Sequence, residues 1–184
     1  MAQQIDDGLV SVEEYLEMEE RSEVRHEYVG GMLYAMVGGT DHHNRIAFNI
    51  ARSLADAADD GPCRVYINDM RFLIGNNNYY YPDVMVACEP PETENPIWRT
   101  NPCLVVEVLS PGSASIDHRE KLLAYRSVSS VETYLIVHQD VQRVERHYRN
   151  DAGAWARGDH VKDGYIPIPC PEMRLTLADI YRGL

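Results

Sequence analysis

The chain has 184 residues, 45% of them apolar and 25% charged, which is enough for a compact domain with a hydrophobic core. No run approaches the ~20 consecutive apolar residues that cross a bilayer, and the acidic N-terminus lacks the basic-then-apolar order of a secretory leader, so a cytoplasmic address without a membrane partner is expected. A net charge of −12 argues against a polyanionic partner, yet residues 1–27 hold nine acids and two bases and so carry −7 of it, which leaves room for a basic groove elsewhere.

In chain order, residues 1–8 are expected to form a disordered tail, and 1–184 a single domain with its core at about 11–180. Ser11 followed by Glu14 is a capping-box pattern that opens a helix over about 12–20. Gly30-Gly31 reads as a turn between strands at 25–29 and 32–37. Thr40 or Asp41 can cap a longer helix to about Asp59, with Ile46, Ile50 and Leu54 recurring every four residues. Strands are expected at 64–74, bent near Asp69, and at 79–88, joined by the turn Gly75-Asn76-Asn77-Asn78. A Pro- and Glu-rich loop leads to Leu104-Val105-Val106-Glu107-Val108-Leu109, which reads as a central strand buried on both faces. A helix at about 116–128, strands at 132–138 and 142–149, a hairpin-rich tail and a short terminal helix follow. The class is α/β, a mixed β-sheet core flanked by helices.

Cys63, Cys88, Cys103 and Cys170 are scattered with no C-x-x-C pair, so the spacing supports neither a disulfide framework nor a zinc knuckle, and three of the thiols, in or beside apolar runs, read as small hydrophobes. Glu107 stands out for a different reason. A carboxylate among five Leu and Val residues costs several kcal/mol if unpaired, so it is expected to be paired or to bind a metal. Asp83 lies early in another apolar strand, after Pro82. Two neighbouring strands that each deliver a carboxylate at one level make a hard oxygen site for Mg2+ or Mn2+, although a turn cap is an equal reading of Asp83 alone. His42 and His43 are adjacent on a helix and cannot both face one ion. Arg143, Arg146 and Arg149 either meet phosphates or form a solvated face.

Pro82-Asp83, a spacer and Glu107 within an apolar strand resemble the PD-(D/E)XK, or restriction-endonuclease-like, nuclease superfamily. The wider pattern is similar to its Uma-type family. It comprises Glu27-Tyr28-Val29-Gly30-Gly31, Asp41-His42-His43, Tyr81-Pro82-Asp83-Val84, Leu104–Pro111, and Asp117 with Lys121 and Tyr125. The resemblance implies that Asp83, Glu107 and the backbone carbonyl of Val108 ligate the metal, with Glu27 as a further acidic ligand. His43, Asp117 and Tyr125 would be accessory residues. The superfamily lysine is expected two residues after the glutamate, where this chain has Leu109; the resemblance moves that role to Lys121 on the following helix.

The function so implied is Mg2+- or Mn2+-dependent hydrolysis of phosphodiester bonds in nucleic acid, with DNA as substrate and a homodimer as the assembly. The alternative is a nuclease-fold module that has lost its chemistry and binds nucleic acid or a protein without turnover. Acidic charge and Leu109 favour that alternative. A protein-interaction domain is a third reading, and it leaves Glu107 unexplained.

Overall fold

The computed structural model describes residues 3–5, 8–36, 38–88, 95–110, 117–161 and 164–184. Ser11 opens helix α1 (Val12–Arg21) with both bonds of the capping box: its hydroxyl accepts from Glu14 N–H, and the Glu14 carboxylate accepts from Ser11 N–H at 2.8 Å. Strands β2 (His26–Val29) and β3 (Met32–Ala35) follow, joined by Gly30 and Gly31 at φ +57° and +98°, backbone angles that a side chain resists. The expected N-terminal tail contains an edge strand instead. β1 (Gln3–Ile5) pairs antiparallel with β3, which satisfies backbone groups that β3 would otherwise leave open on that side.

Helix α2 (Asp41–Ala58) is capped by the Thr40 side chain and buries Ile46, Ile50 and Leu54, the stripe that the four-residue recurrence predicts. The two long strands expected next each break in the middle. The first becomes β4 (Arg64–Ile67) and β5 (Arg71–Ile74), and the second becomes β6 (Asn78–Tyr80) and β7 (Val84–Ala87). The halves join different sheets, β5 pairing with β6 and β4 with β7. Two local features produce the breaks. Asn68 takes a left-handed φ of +46°, a conformation Asn tolerates better than most residues, and Pro82 has no N–H to extend a ladder.

A short strand β8 (Trp98–Arg99), absent from the sequence reading, precedes β9 (Leu104–Val108). A π-helical turn at Asp117–Lys121 runs into helix α3 (Leu122–Ser127). Strands β10 (Thr133–Val137), β11 (Arg143–Arg149), β12 (Trp155–Val161), β13 (Tyr165–Pro169) and β14 (Glu172–Thr176) lead to the terminal helix Leu177–Ile180. One sheet runs β1-β3-β2-β6-β5-β8 and the other β12-β11-β10-β9-β7-β4, with β13 and β14 as a separate hairpin. Within the second sheet β9 lies between its parallel neighbour β10 and its antiparallel neighbour β7, both faces buried, as its continuous apolar run requires.

Alternation along β9 divides the core. Leu104, Val106 and Val108 pack toward α2, the β13–β14 hairpin and the terminal helix. Val105 and Leu109 pack toward Tyr125 of α3 and toward Phe72 and Tyr80 of the first sheet. A third cluster, of Tyr15, Tyr28, Leu33 and Tyr79, seats α1 on the first sheet. The cysteines correct the expectation from spacing. The fold brings their sulfurs together and joins them as two disulfides, Cys63–Cys88 and Cys103–Cys170. Residues far apart in the chain meet because the ends of β4, β7 and β9 and the β13–β14 turn converge on one corner.

Candidate active site

Glu107 shares the face of β9 that carries Val105 and Leu109. β7 and β9 pair Val84 with Val106, so one further step of that register sets Asp83 opposite Glu107. Asp83 lies at the point where the chain leaves one sheet for the other, and the partner break at Asn68 is tied to it by the bond Asn68 N–H to Asp83 carbonyl, 3.3 Å. The change of sheet therefore opens the cleft and places a carboxylate at its edge.

The four charged residues singled out in the sequence meet here, each less than a tenth exposed. Lys121 Nζ is 2.8 Å from Glu27 Oε1 and 3.0 Å from Glu107 Oε1. Tyr125, one helical turn after Lys121, donates its hydroxyl to the same Glu107 oxygen at 2.7 Å. Glu27 Oε1 also accepts from Tyr81 N–H at 3.2 Å. Asp83 Oδ2 accepts from Val108 N–H at 2.7 Å and lies 3.2 Å from His43 Nε2. Leu109, where the superfamily pattern expects lysine, is buried among Tyr125, Val105 and Ile136. A cation could not stand in that apolar cluster, and Lys121 reaches Glu107 from the following helix instead.

Burial first, and the negative charge of Glu107 second, push the Tyr125 hydroxyl well above its ordinary range, so it stays a neutral donor. Burial raises Tyr81 in the same way. The cleft has a volume of about 490 Å³ and is lined by Glu23, Glu27, Asp69, Asp83 and Glu107 against Arg25, His43 and Lys121. Carboxylates thus outnumber cations where a polyanion would have to enter.

The donor set suits a hard cation. Both contacts of Asp83 fall on Oδ2 and both of Glu27 on Oε1, which leaves Oδ1 and Oε2 their lone pairs for a divalent ion. Val108, whose carbonyl is the expected fourth ligand, lines the same cleft. The acidic groups are not collapsed onto one point. Among the described residues, the group of three or more His, Cys, Asp or Glu with ligand atoms all within 4.8 Å is Cys63, Cys88 and Cys170.

The remaining expectations divide. The side chain of Asp117 lies outside the described residues. The three β11 arginines take structural roles. Arg143 pairs with Asp159 at 2.8 Å and Glu145 at 3.3 Å, Arg146 stacks on Tyr148, and Arg149 donates to the carbonyls of Arg126, Val128, Val131 and Gly153. Sequence reasoning missed a buried network behind the cleft. Glu19, counted with the acidic N-terminal segment, is fully buried; it accepts from Tyr81 hydroxyl at 2.9 Å and His26 N–H at 3.1 Å, while Arg71 Nε donates to Tyr81 at 2.5 Å. Its spacing of four from the core residue Tyr15 was the available signal.

The sequence profile of the Uma2 family, described as "Putative restriction endonuclease", matches residues 12–178. Two uncharacterized proteins of Synechocystis sp., slr1290 and sll1609, are each 34% identical to the chain. Their matches cover 95% and 80% of this chain and 93% and 85% of their own lengths. A crystal structure from Anabaena variabilis, described as "a putative nuclease belonging to DUF820", has a TM-score of 0.78 across 94% of this chain and 97% of that one; at 17% identity the likeness is one of fold. A profile match over nearly the whole chain, together with relatives at this identity, shows that the chain belongs to the Uma2 family of restriction-endonuclease-like proteins.

Proposed function

We propose that the chain is a divalent-metal-dependent nuclease that hydrolyses phosphodiester bonds in DNA, with Asp83 and Glu107 as its principal metal ligands and Glu27 and the Val108 carbonyl completing the set. The observation that carries this reading is the meeting of Lys121 with Glu27 and Glu107, beside Asp83, in a cleft made by the sheet break. A bound Mg2+ or Mn2+ would neutralise charge on the phosphate and acidify an attacking water. The chain's own groups prepare that chemistry. Val108 N–H and His43 fix the Asp83 carboxylate, and Tyr125 and Lys121 fix Glu107. The Lys121 ammonium offsets charge that develops on the phosphate as the water oxygen bonds to phosphorus and the bond to the leaving sugar oxygen breaks. Tyr125 orients and does not transfer a proton, because its hydroxyl stays neutral. Two subunits in a homodimer would offer a centre for each strand of a duplex, in the cytoplasm.

A second reading, binding without turnover, draws on the excess of carboxylates along the cleft. Supercoiled plasmid separates the two. The chain should nick it with Mg2+ or Mn2+ and not with a chelator present. Asp83→Asn and Glu107→Gln should abolish nicking in chains that still fold, as a cooperative melting transition shows. Nicking that survives both substitutions, or survives the chelator, contradicts the proposal. Metal-dependent retention of DNA without nicking favours the second reading.

A further inference from the structure

The convergence of the four cysteines lies outside the carboxylate cleft and is not used by the chemistry proposed there. Cys63 precedes β4, Cys88 follows β7, Cys103 precedes β9, and Cys170 sits at the β13–β14 turn. The two disulfides are not separate staples. Cys88 Sγ lies 3.0 Å from Cys170 Sγ and 3.6 Å from Cys103 Sγ, across the two pairs. The sulfurs of Cys63, Cys88 and Cys170 all lie within 4.8 Å of one another, and Cys103 adjoins that group through Cys88. A tetrahedral thiolate site with Zn–S bonds of about 2.3 Å sets its sulfurs about 3.8 Å apart, so once the disulfides open a short inward shift of Cys103 completes it. The cluster is largely enclosed. Cys170 belongs to the first core cluster and the other three pack against it, so its metal would have no open position. Arg64 adds a cation beside it, donating to the carbonyls of Gly61 and Cys63 at 3.2 and 2.9 Å.

We infer that Cys63, Cys88, Cys103 and Cys170 form a redox-dependent structural site that takes a soft divalent metal, Zn2+, when reduced. Reduction of the two disulfides consumes four electrons and four protons, supplied by two equivalents of a dithiol that leaves as its own disulfide. Four thiols result. Zn2+ then binds them as four thiolates, and four protons are released to solvent. The metal would tie the β13–β14 hairpin to the ends of β4, β7 and β9 in a reducing compartment, where disulfides do not persist. Two equivalents of a small-molecule disulfide accept four electrons from the thiolates and leave as four thiolates, which restores the two protein disulfides and expels the ion. The site differs from the carboxylate cleft in ligand class, so the two separate cleanly: thiolates select Zn2+ and Co2+, and carboxylates select Mg2+ and Mn2+.

The test uses the full chain, purified with a dithiol reductant and titrated with Co2+ and then Zn2+. Roughly one equivalent of metal per chain is expected, with the intense visible bands and sulfur-to-cobalt charge transfer of a tetrahedral thiolate. Zn2+ should bleach both, and an oxidant should release the metal. Cys88→Ser with Cys170→Ser should abolish the bands. If that variant fails to fold, thiol counting on the wild-type chain decides: bound Zn2+ should protect all four thiols from an aromatic disulfide reagent. A reduced, folded wild-type chain that gives no thiolate bands and titrates four reactive thiols with Zn2+ present overturns the inference, whatever its nuclease activity.

Discussion

A carboxylate inside a core strand needs partners, and Glu107 finds two of them on one helix. Lys121 and Tyr125, four residues apart, both reach its Oε1. Tyr125→Phe keeps the ring in its aromatic cluster and removes one bond to a charged group. It should cost about 1.5–3 kcal/mol, read from denaturant unfolding against wild type; no change in stability would mean that the bond carries nothing. His43 supports Asp83 from α2, and removal of such an outer partner typically lowers metal affinity or activity about 10–100-fold. His43→Ala should therefore weaken Mn2+ binding by that order while unfolding as wild type does, and unaltered binding would place His43 outside the site. Glu107 and Lys121 were legible as residues: the first because nothing apolar explains it, the second because the family resemblance points to it. Glu19 was not. Its spacing of four from Tyr15 puts it on the inward face of α1, but a carboxylate among many surface acids reads first as solvated.

At the scale of elements, the capping box of α1, the Thr40 cap and the stripe of α2 follow from local rules, and the structure bears them out. The double strand break does not follow from them. Periodicity marks 64–74 and 79–88 as extended, but only pairing across two sheets decides where each strand divides, and the cleft depends on that division. β8 was missed because two paired residues in a Pro-rich loop leave no pattern. Helix α2 is held to the chain's end by Asn49, whose Nδ2 donates to the carbonyls of Ile180 and Arg182 at 3.1 and 3.0 Å. Those carbonyls close the terminal helix, where side-chain capping matters most. Asn49→Ala should cost about 1–3 kcal/mol and raise hydrogen exchange at residues 177–184 above that of the sheet; uniform exchange would show that the contact does not anchor the terminus.

The whole molecule carries −12, and its central cleft is acidic as well. Composition cannot show that, because the charges that matter come from six separate segments. Burial also sets its response to alkali. Tyr15, Tyr80, Tyr81 and Tyr125 are each raised above the ordinary tyrosine value of 10.0, with desolvation as the leading cause. Below that pH both folded and unfolded chains hold these protons. Above it the unfolded chain loses them and the folded chain does not, so the unfolded state binds fewer protons and stability falls as pH rises. The exposed tyrosines, Tyr165 among them, should ionise in the folded chain, and the remaining tyrosinate absorbance should appear in a cooperative step that coincides with loss of circular dichroism. Smooth ionisation of all the tyrosines in a chain that remains folded would contradict the burial described.

The central claim is that Asp83 and Glu107 form a hard-metal site, and calorimetric titration of Mn2+ and Mg2+ into the wild-type chain and into Glu107→Gln tests it most directly. Saturable binding in wild type, absent in a Glu107→Gln chain that is folded and unfolds cooperatively, is the predicted result. Equal binding by the two proteins, or none by wild type even with a DNA duplex present, would contradict it.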